Sequence, residues 1–328
     1  MLTTMPTTPA LADALTAVET EIGRLATSSR VPVVNEFAGR ITSAGGKRLR
    51  SVVLLGGVLA LSGRVPDQAV TAAACVELLH AGSLVHDDLM DDAAERRGVR
   101  TVNAEWGPGP AVLVGDFMLA RASQAALDTV SPFAAGRLAE AVADLVDGQV
   151  LEVLDLYDAH RSPDGALRSV ALKTGALFRV GCVLAAHCAG VPDGGEVAVR
   201  LAEYGEHFGL LFQILDDLLD LASTAEQVGK PVGNDIRQGV YTFPLLRALT
   251  GAQRELLAER GRSLADEELA RLLAELRAGD LVPETLAYCR SLAAQTTRAL
   301  PEVADSAALD VLRRLPAAHL DWAASRLG

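Results

Sequence analysis

A surplus of basic residues is what this sequence lacks outright, and aromatics are sparse in it. Thirty Lys and Arg stand against 42 Asp and Glu, a net charge of −12. Nucleic-acid binders and anchors for anionic membranes normally carry the opposite balance, so neither is expected. Any cation that matters here must act locally. Aromatic residues are 4% of the 328 positions while half of all positions are hydrophobic. Ala and Leu therefore carry much of the apolar content, which favours helix over sheet. Four cysteines, Cys75, Cys182, Cys188 and Cys289, show no CxxC pairing and no regular spacing. We expect buried free thiols in a reducing, cytoplasmic compartment. Long hydrophobic runs are missing too: 51–63 and the stretch around 174–191, broken by Arg179 and His187, fall short of about 18 uninterrupted apolar residues. No basic segment leads into an apolar core at the N-terminus, so neither a signal peptide nor an integral membrane segment is expected.

Alternating strand patterns are scarce, and no Pro/Gly-rich stretch is long enough to separate two domains. Apolar residues recur at helical spacing over roughly 9–27, 48–63, 67–92, 109–128, 132–158, 164–189 and 194–221, with shorter segments from 241 onward. The expectation is a flexible tail over 1–8 and a single all-α domain over 9–328.

Charge is distributed unevenly on these helices. LLHAGSLVHDDLMDDAAERRG, residues 78–98, is an apolar helix that ends in Asp87, Asp88, Asp91 and Asp92 and turns basic at Arg96 and Arg97. FGLLFQILDDLLD, residues 208–220, repeats the DDxxD spacing at Asp216, Asp217 and Asp220. At 100° per residue, positions four apart lie about 40° apart around the helix, so each motif sets two carboxylates on one face. One such motif is ordinarily a solvated face. Two of them, each ending an apolar helix, point to a shared cation site. Converging carboxylates would repel by roughly 4 kcal/mol per pair at 4 Å even at an effective dielectric of 20. Mg²⁺ suits such a site because it takes hard oxygen ligands, a few carboxylates and the phosphates of a substrate. The implied ligand is a phosphate ester. Candidate cations to meet it are Lys47 and Arg50 in GGKRLR, Arg96, Arg97, Lys173 in KTG and Lys230 in GKPVGND. Arg48 and Arg100 read as ordinary surface charges.

GGKRLR, LLHAGSLVHDDLMDDAAERRG, GDFMLARA, KTG, FQILDDLLD and GKPVGND follow one another across about residues 45 to 246. In these segments and their order the chain resembles the all-trans isoprenyl diphosphate synthases of the polyprenyl synthetase family. The resemblance implies an isoprenoid-synthase-type helical bundle around a deep central cavity, usually a homodimer, with both acidic motifs at the cavity mouth. It implies that Asp87, Asp88, Asp91, Asp216, Asp217 and Asp220 hold about three Mg²⁺ ions around an allylic diphosphate, which Arg96, Lys173 and Lys230 grip. Isopentenyl diphosphate would bind at Lys47, Arg50, His80 and Arg97. By its chemistry alone, His80 reads equally well as a satisfied buried histidine. The Thr174 hydroxyl, the Gln213 amide oxygen and the Lys173 carbonyl would set negative dipole ends near the allylic cation left by the departing diphosphate. The double bond of isopentenyl diphosphate would then attack, and a proton would leave.

Two departures stand out. Many family members carry a further lysine about ten positions beyond the first loop lysine, where this chain has Val240, and the chain ends in SRLG without a strongly basic tail to cover isopentenyl diphosphate. By the same resemblance, the residues four and five before the first motif form the first floor position of the cavity. Here they are Ser83 and Gly82, with Leu79, Val76, Cys75 and Ala72 deeper, Met118 and Ala122 on a neighbouring helix, and no aromatic from Val70 to Asp92. Gly82 reads equally as a helix-packing residue. The expected product is a polyprenyl diphosphate of roughly six to ten units, grown from a farnesyl or geranylgeranyl primer, with geranylgeranyl diphosphate as the alternative product. A class I terpene cyclase and a noncatalytic partner subunit stand as other readings. The first normally has one Asp-rich motif, and the second would be expected to have lost one or both.

Overall fold

Helices make up nearly all the regular structure of the chain in the computed structural model, which describes residues 6–223 and 232–327. They begin where the sequence supplies caps. Thr8, Ser131 and Ser162 accept a hydrogen bond from the backbone N–H three residues on, and Pro9, Pro132 and Pro163 follow each at the first helical position, where no N–H is needed. The helices are α1 (Pro9–Ala26), α2 (Pro32–Ser43), α3 (Leu49–Ser62), α4 (Asp67–Met90), α5 (Val102–Trp106), α6 (Pro108–Ala125), α7 (Pro132–Leu154), α8 (Pro163–Val170), α9 (Ala176–Cys188) and α10 (Glu196–Ala222). Six more follow: α11 (Asn234–Gln238), α12 (Phe243–Ala248), α13 (Gly251–Arg260), α14 (Asp266–Ala278), α15 (Leu281–Ala299) and α16 (Ala307–Ala324).

The long helices lie where the periodicity places them, but α2 was not anticipated. It is short and buries only Phe37, Ala38 and Thr42, with Phe37 stacked on Trp106 at 5.1 Å. A two-residue ribbon, β1 (Glu95–Arg96) and β2 (Val99–Arg100), pairs antiparallel after the first acidic motif. Its turn, Arg97-Gly98, has positive φ at both positions (53° and 76°), the geometry of a type I′ hairpin.

Helix α4 runs through the middle of the bundle, packed by α1, α3, α6 and α9. From Ala72 to Leu79 it has no exposed surface beyond 3%, so Leu79→Ala would remove roughly 2–5 kcal/mol of stability. Helix α10 packs on α9, α15 and α16. By composition, α4 and the continuous helix Pro163–Cys188 could each cross a membrane, but 72% and 67% of their most apolar windows are buried inside the protein. They are core helices. All four cysteines are buried and free.

Two π turns interrupt the α-helical register, at Ala126–Val130 after α6 and at Ala171–Gly175 between α8 and α9. Where α7 begins and α9 ends, the Ser131 hydroxyl lies 2.8 Å from His187 Nε2, whose Nδ1 is 3.1 Å from Asp193 Oδ1. Phe133 stacks on the His187 ring at 4.8 Å. This polar relay ties the two helix ends together.

Candidate active site

Both acidic motifs occupy the last turns of their helices, where the macrodipole already disfavours negative charge and attracts cations. Asp91 is the C-cap of α4, and its N–H still donates to the Asp87 carbonyl at 2.9 Å, so the two residues keep the one-face spacing. Burial raises the pKa of Asp87, Asp88 and Asp91. Lys173 opposes that rise most for Asp87 and Asp91, and Arg96 does so for Asp88. Arg96 Nε sits 2.6 Å from Asp88 Oδ1. The I′ turn carries Arg96 to that carboxylate and sends Arg97 to the Gly45 carbonyl.

A first cleft, about 550 Å³ of open space, is lined by His80, Arg96, Arg97, Arg48, Glu77 and Asp88 among others. Glu77, 3% exposed, organises it by accepting from the Ser51 N–H and hydroxyl at 3.1 and 3.0 Å, which caps the start of α3. Arg48 is no surface charge. It lies 2.6 Å from Glu19 and 3.6 Å from Glu77, donates to the Thr42 carbonyl at 2.8 Å, and adopts φ 47°. The fixed ion pairs hold a strained backbone that the sequence does not announce. Arg100 is exposed and donates to the Ala104 carbonyl, though it also lines this cleft.

Burial and four surrounding arginines, Arg50, Arg97, Arg96 and Arg48, hold the His80 pKa well below its usual value, so the ring is neutral. Arg50 is buried against the Phe178 ring at 4.8 Å, its Nε has no hydrogen-bond partner among the described residues, and burial lowers its pKa to about 10. A buried cation short of partners suits an anionic ligand. Lys47 lies outside this cleft lining, over the Trp322 indole at 2.8 Å from the ring centroid, with its pKa lowered to about 8 by burial, against Asp216 and with Arg326. The Arg326 guanidinium covers the same ring at 4.2 Å. The single cation of the SRLG tail therefore stands beside the GGKRLR segment.

A second cleft, about 720 Å³ of open space, gathers Asp91, Asp217, Lys173, Thr174, Gln213 and Glu152. Thr174 Oγ1 donates to Gln213 Oε1 at 2.9 Å, and Gln213 Nε2 donates to Asp217 Oδ1 at 2.8 Å. Asp217 is 5% exposed, and burial together with Asp235, Asp216 and Glu152 pushes its pKa well above the ordinary range. Lys173 pairs with Glu152 at 2.7 Å. Burial works against its charge, but Glu152, Asp87 and Asp91 outweigh that and raise its pKa. Lys173 and Thr174 sit in the π turn, a distortion common at functional sites because it frees main-chain groups from the α ladder. α7 fits against that turn only through Gly148, where a Cβ would lie 2.5 Å from the Lys173 nitrogen.

Carboxylates whose charge is disfavoured by burial at two helix ends fit divalent cations. Among the described residues no three acidic, histidine or cysteine side chains are grouped as a metal centre by themselves. Gly82 faces α6, where an added Cβ would meet the Gly115 carbonyl and Met118 at 3.2 Å. Ser83 is half-buried with its hydroxyl on the His80 carbonyl at 2.9 Å, and Leu79 is fully buried. Lys230 lies outside the described residues. Sequence reasoning missed Glu152, Trp322, Arg326 and the buried Arg161. None of the four left a signal: Glu152 is one of four acidic residues on α7, with Glu140, Asp144 and Asp147.

An all-α bundle with two acidic helix ends beside cation-lined clefts can receive a phosphate ester together with divalent cations. The sequence profile of the polyprenyl synthetase family matches residues 31–276, and the chain belongs to that family, as a trans-prenyltransferase. It is 34% identical over 279 residues to heptaprenyl diphosphate synthase component 2 of Geobacillus stearothermophilus, covering 84% of this chain and 86% of that one. It is 36% identical over 291 residues to octaprenyl diphosphate synthase of Escherichia coli K12, covering 88% and 86%. A polyprenyl synthase of Caulobacter crescentus, solved with calcium and isoprenyl diphosphate, superposes with a TM-score of 0.87 at 30% identity, covering 97% of this chain and 96% of that one.

Proposed function

We propose that the protein condenses isopentenyl diphosphate with an allylic diphosphate, farnesyl or geranylgeranyl, to give a long-chain polyprenyl diphosphate. The observation that carries this reading is the pair of clefts beside the first acidic helix end, with Asp88 lining one and Asp91 the other. Elongation needs two diphosphate sites, whereas a cyclase uses one. Asp87, Asp88 and Asp91 on α4 and Asp216, Asp217 and Asp220 on α10 would hold Mg²⁺, about three ions by family resemblance. A metal held there would supply stabilisation of the negative charge on the leaving diphosphate. Arg96, Lys173 and Lys230 grip that diphosphate from the protein side. The oxygen dipoles of Thr174 and Gln213, aligned by their bonds to each other and to Asp217, and the Lys173 carbonyl face the allylic carbon as it gains positive charge. Lys47, Arg50, His80 and Arg97 hold isopentenyl diphosphate close enough for its double bond to attack.

A product of roughly six to ten isoprene units is supported by α4, which runs about 22 Å from Asp87 back to Ala72 without an aromatic side chain, and by the hepta- and octaprenyl relatives. The buried thiols suit the cytoplasm. Leu113 on α6 and Val146, Val150, Val153 and Leu154 on α7 are half or more exposed, an apolar face that we assign to a second copy of the chain. The relative named as a component makes a different subunit the alternative occupant. The test is incubation of the pure protein with magnesium, labelled isopentenyl diphosphate and primers of two, three and four isoprene units, followed by chromatography of the dephosphorylated products. Polymers beyond four units support the reading. A cyclic hydrocarbon, or no turnover without another subunit, overturns it.

A further inference from the structure

Helix α7 ends at Leu154, and the chain reaches α8 through a short turn that carries Arg161. No sequence motif includes this residue, and the substrate assignments above do not use it. Its side chain is only 6% exposed, yet it lines the second cleft together with Lys173, Thr174 and Gln213. Burying a guanidinium is costly unless its five N–H groups find acceptors. Among the described residues it donates from Nη2 to the Gly165 carbonyl at 3.1 Å and to the Ser169 hydroxyl. Nε lies 2.8 Å from Asp155 Oδ2, but its N–H does not point along that line and makes no hydrogen bond. Asp155 thus contributes charge while leaving hydrogen-bonding capacity unused. The rest of the described lining is strongly acidic, with Asp91, Glu152, Asp217 and Asp235, and Lys173 is already engaged by Glu152. Val240 lines the same cleft and brings no charge to it.

We propose that Arg161 is a substrate-binding residue, the preset cation that meets the allylic diphosphate in this cleft where Val240 offers none. The inference rests on the proposed function and deepens it by naming who grips one substrate. Asp155, Gly165 and Ser169 hold the guanidinium in place, so little side-chain freedom is lost when an anion takes the free donors. The alternative is a purely structural staple that closes the turn between α7 and α8, and the two roles separate experimentally.

Four proteins are compared: wild type, Arg161→Gln, Asp155→Asn, and Arg161→Gln combined with Val240→Lys. Binding of farnesyl thiolodiphosphate, which does not ionise readily, is measured by calorimetry with magnesium, alongside thermal melting and the KM for isopentenyl diphosphate. Arg161→Gln is expected to weaken analogue binding by at least about tenfold, the loss of one charge-assisted contact, and to leave the isopentenyl KM within twofold. Asp155→Asn, which loosens the hold on the guanidinium but keeps the cation, should weaken analogue binding less than Arg161→Gln does and leave the isopentenyl KM within twofold. Val240→Lys should restore most of the affinity lost in Arg161→Gln. If Arg161→Gln and Asp155→Asn melt earlier together and weaken both substrates equally, or if Val240→Lys restores nothing, the staple is the whole role and the assignment falls. Wild-type affinity in Arg161→Gln also overturns it. Failure of the wild type itself to bind the analogue would instead sink the proposed function.

Discussion

The ends of α4 and α10 carry the same DDxxD pattern in unlike settings. At α4, Asp88 is paired with Arg96, and Lys173 offsets the burial of Asp87 and Asp91. At α10, Asp217 has a neutral donor, Gln213, and its charged influences are the carboxylates Asp235, Asp216 and Glu152. The walls behind the motifs differ as well. One turn before its first Asp, α4 has Ser83, while α10 has Phe212, stacked on His319 at 5.3 Å, with Trp322 next in the stack at 5.5 Å from His319. Identical motifs therefore sit in two settings. α4 ends on a smooth wall with Arg96 and Lys173 beside its carboxylates, whereas at α10, braced by aromatics against the C-terminal helix, Lys47 acts on Asp216 while the buried Asp217 is held by the neutral Gln213 amide. Burial of a carboxylate without a cation is a standing electrostatic cost that a bound metal would relieve.

The largest effect should appear in turnover. Asp87→Asn and Asp216→Asn are each expected to lower kcat by about 10² or more and to raise the magnesium requirement, with helical circular dichroism unchanged. Undiminished turnover in Asp216→Asn would take the metal role away from α10 and dissolve the comparison. Next comes product length. Ser83→Phe would give α4 the aromatic that α10 already has, about one turn of 5.4 Å below the metal site. The product should shorten toward farnesyl or geranylgeranyl diphosphate, read by chromatography. An unchanged product distribution would place the cavity floor elsewhere.

Stability in metal-free buffer should then separate the two ends in opposite directions. Asp217→Asn keeps the acceptor for Gln213 and removes a disfavoured charge, so its melting temperature should rise by about 2–4 °C. Asp88→Asn leaves Arg96 without its anion and should melt earlier. The pH dependence follows the same logic. Because the folded-state pKa of Asp217 is raised, the folded protein binds more protons than the unfolded chain from about 3.8 up to that raised value, and stability falls as pH rises through this window. Asp217→Asn should flatten that fall, as followed by melting at stepped pH. The smallest effect concerns Lys47. Its pKa near 8 leaves it neutral above that pH, and a neutral amine does not grip a diphosphate. The kcat/KM for isopentenyl diphosphate, which reports the free enzyme, should decline as pH rises through about 8, and Lys47→Arg should remove the decline.

Most of the bundle could be read in advance because the helices are long and their apolar stripes repeat every 3.6 residues. α2 escaped because only three of its residues are buried, and the ribbon escaped because two-residue strands have no alternation to detect. The Arg97-Gly98 turn was its sole signal. In the two clefts, lining residues that come in motifs were legible as neighbours: Asp88, Asp91, Asp217, Lys173, Thr174 and Gln213. Residues whose role depends on a distant partner were not. Arg48 looked like a surface charge because Glu19 and Glu77 are 29 residues away from it on either side. Trp322 meets Lys47 only when the last helix returns across the bundle.

The π turn at Ala171–Gly175 can also be read as a matter of phase. One residue more or fewer rotates a helix face by about 100°, so α8 and α9, although one continuous rod, do not share a stripe. α9 is free to bury Phe178, Cys182 and Ala185 in the core while α8 turns Ala166, Ser169 and Val170 toward the second cleft. A rod of unbroken pitch would have to give up one of these alignments. Between relatives, a one-residue gap opposite 171–175 is therefore not a difference in loop length. It would swing the whole α8 face away from the chemistry while leaving the α9 packing intact.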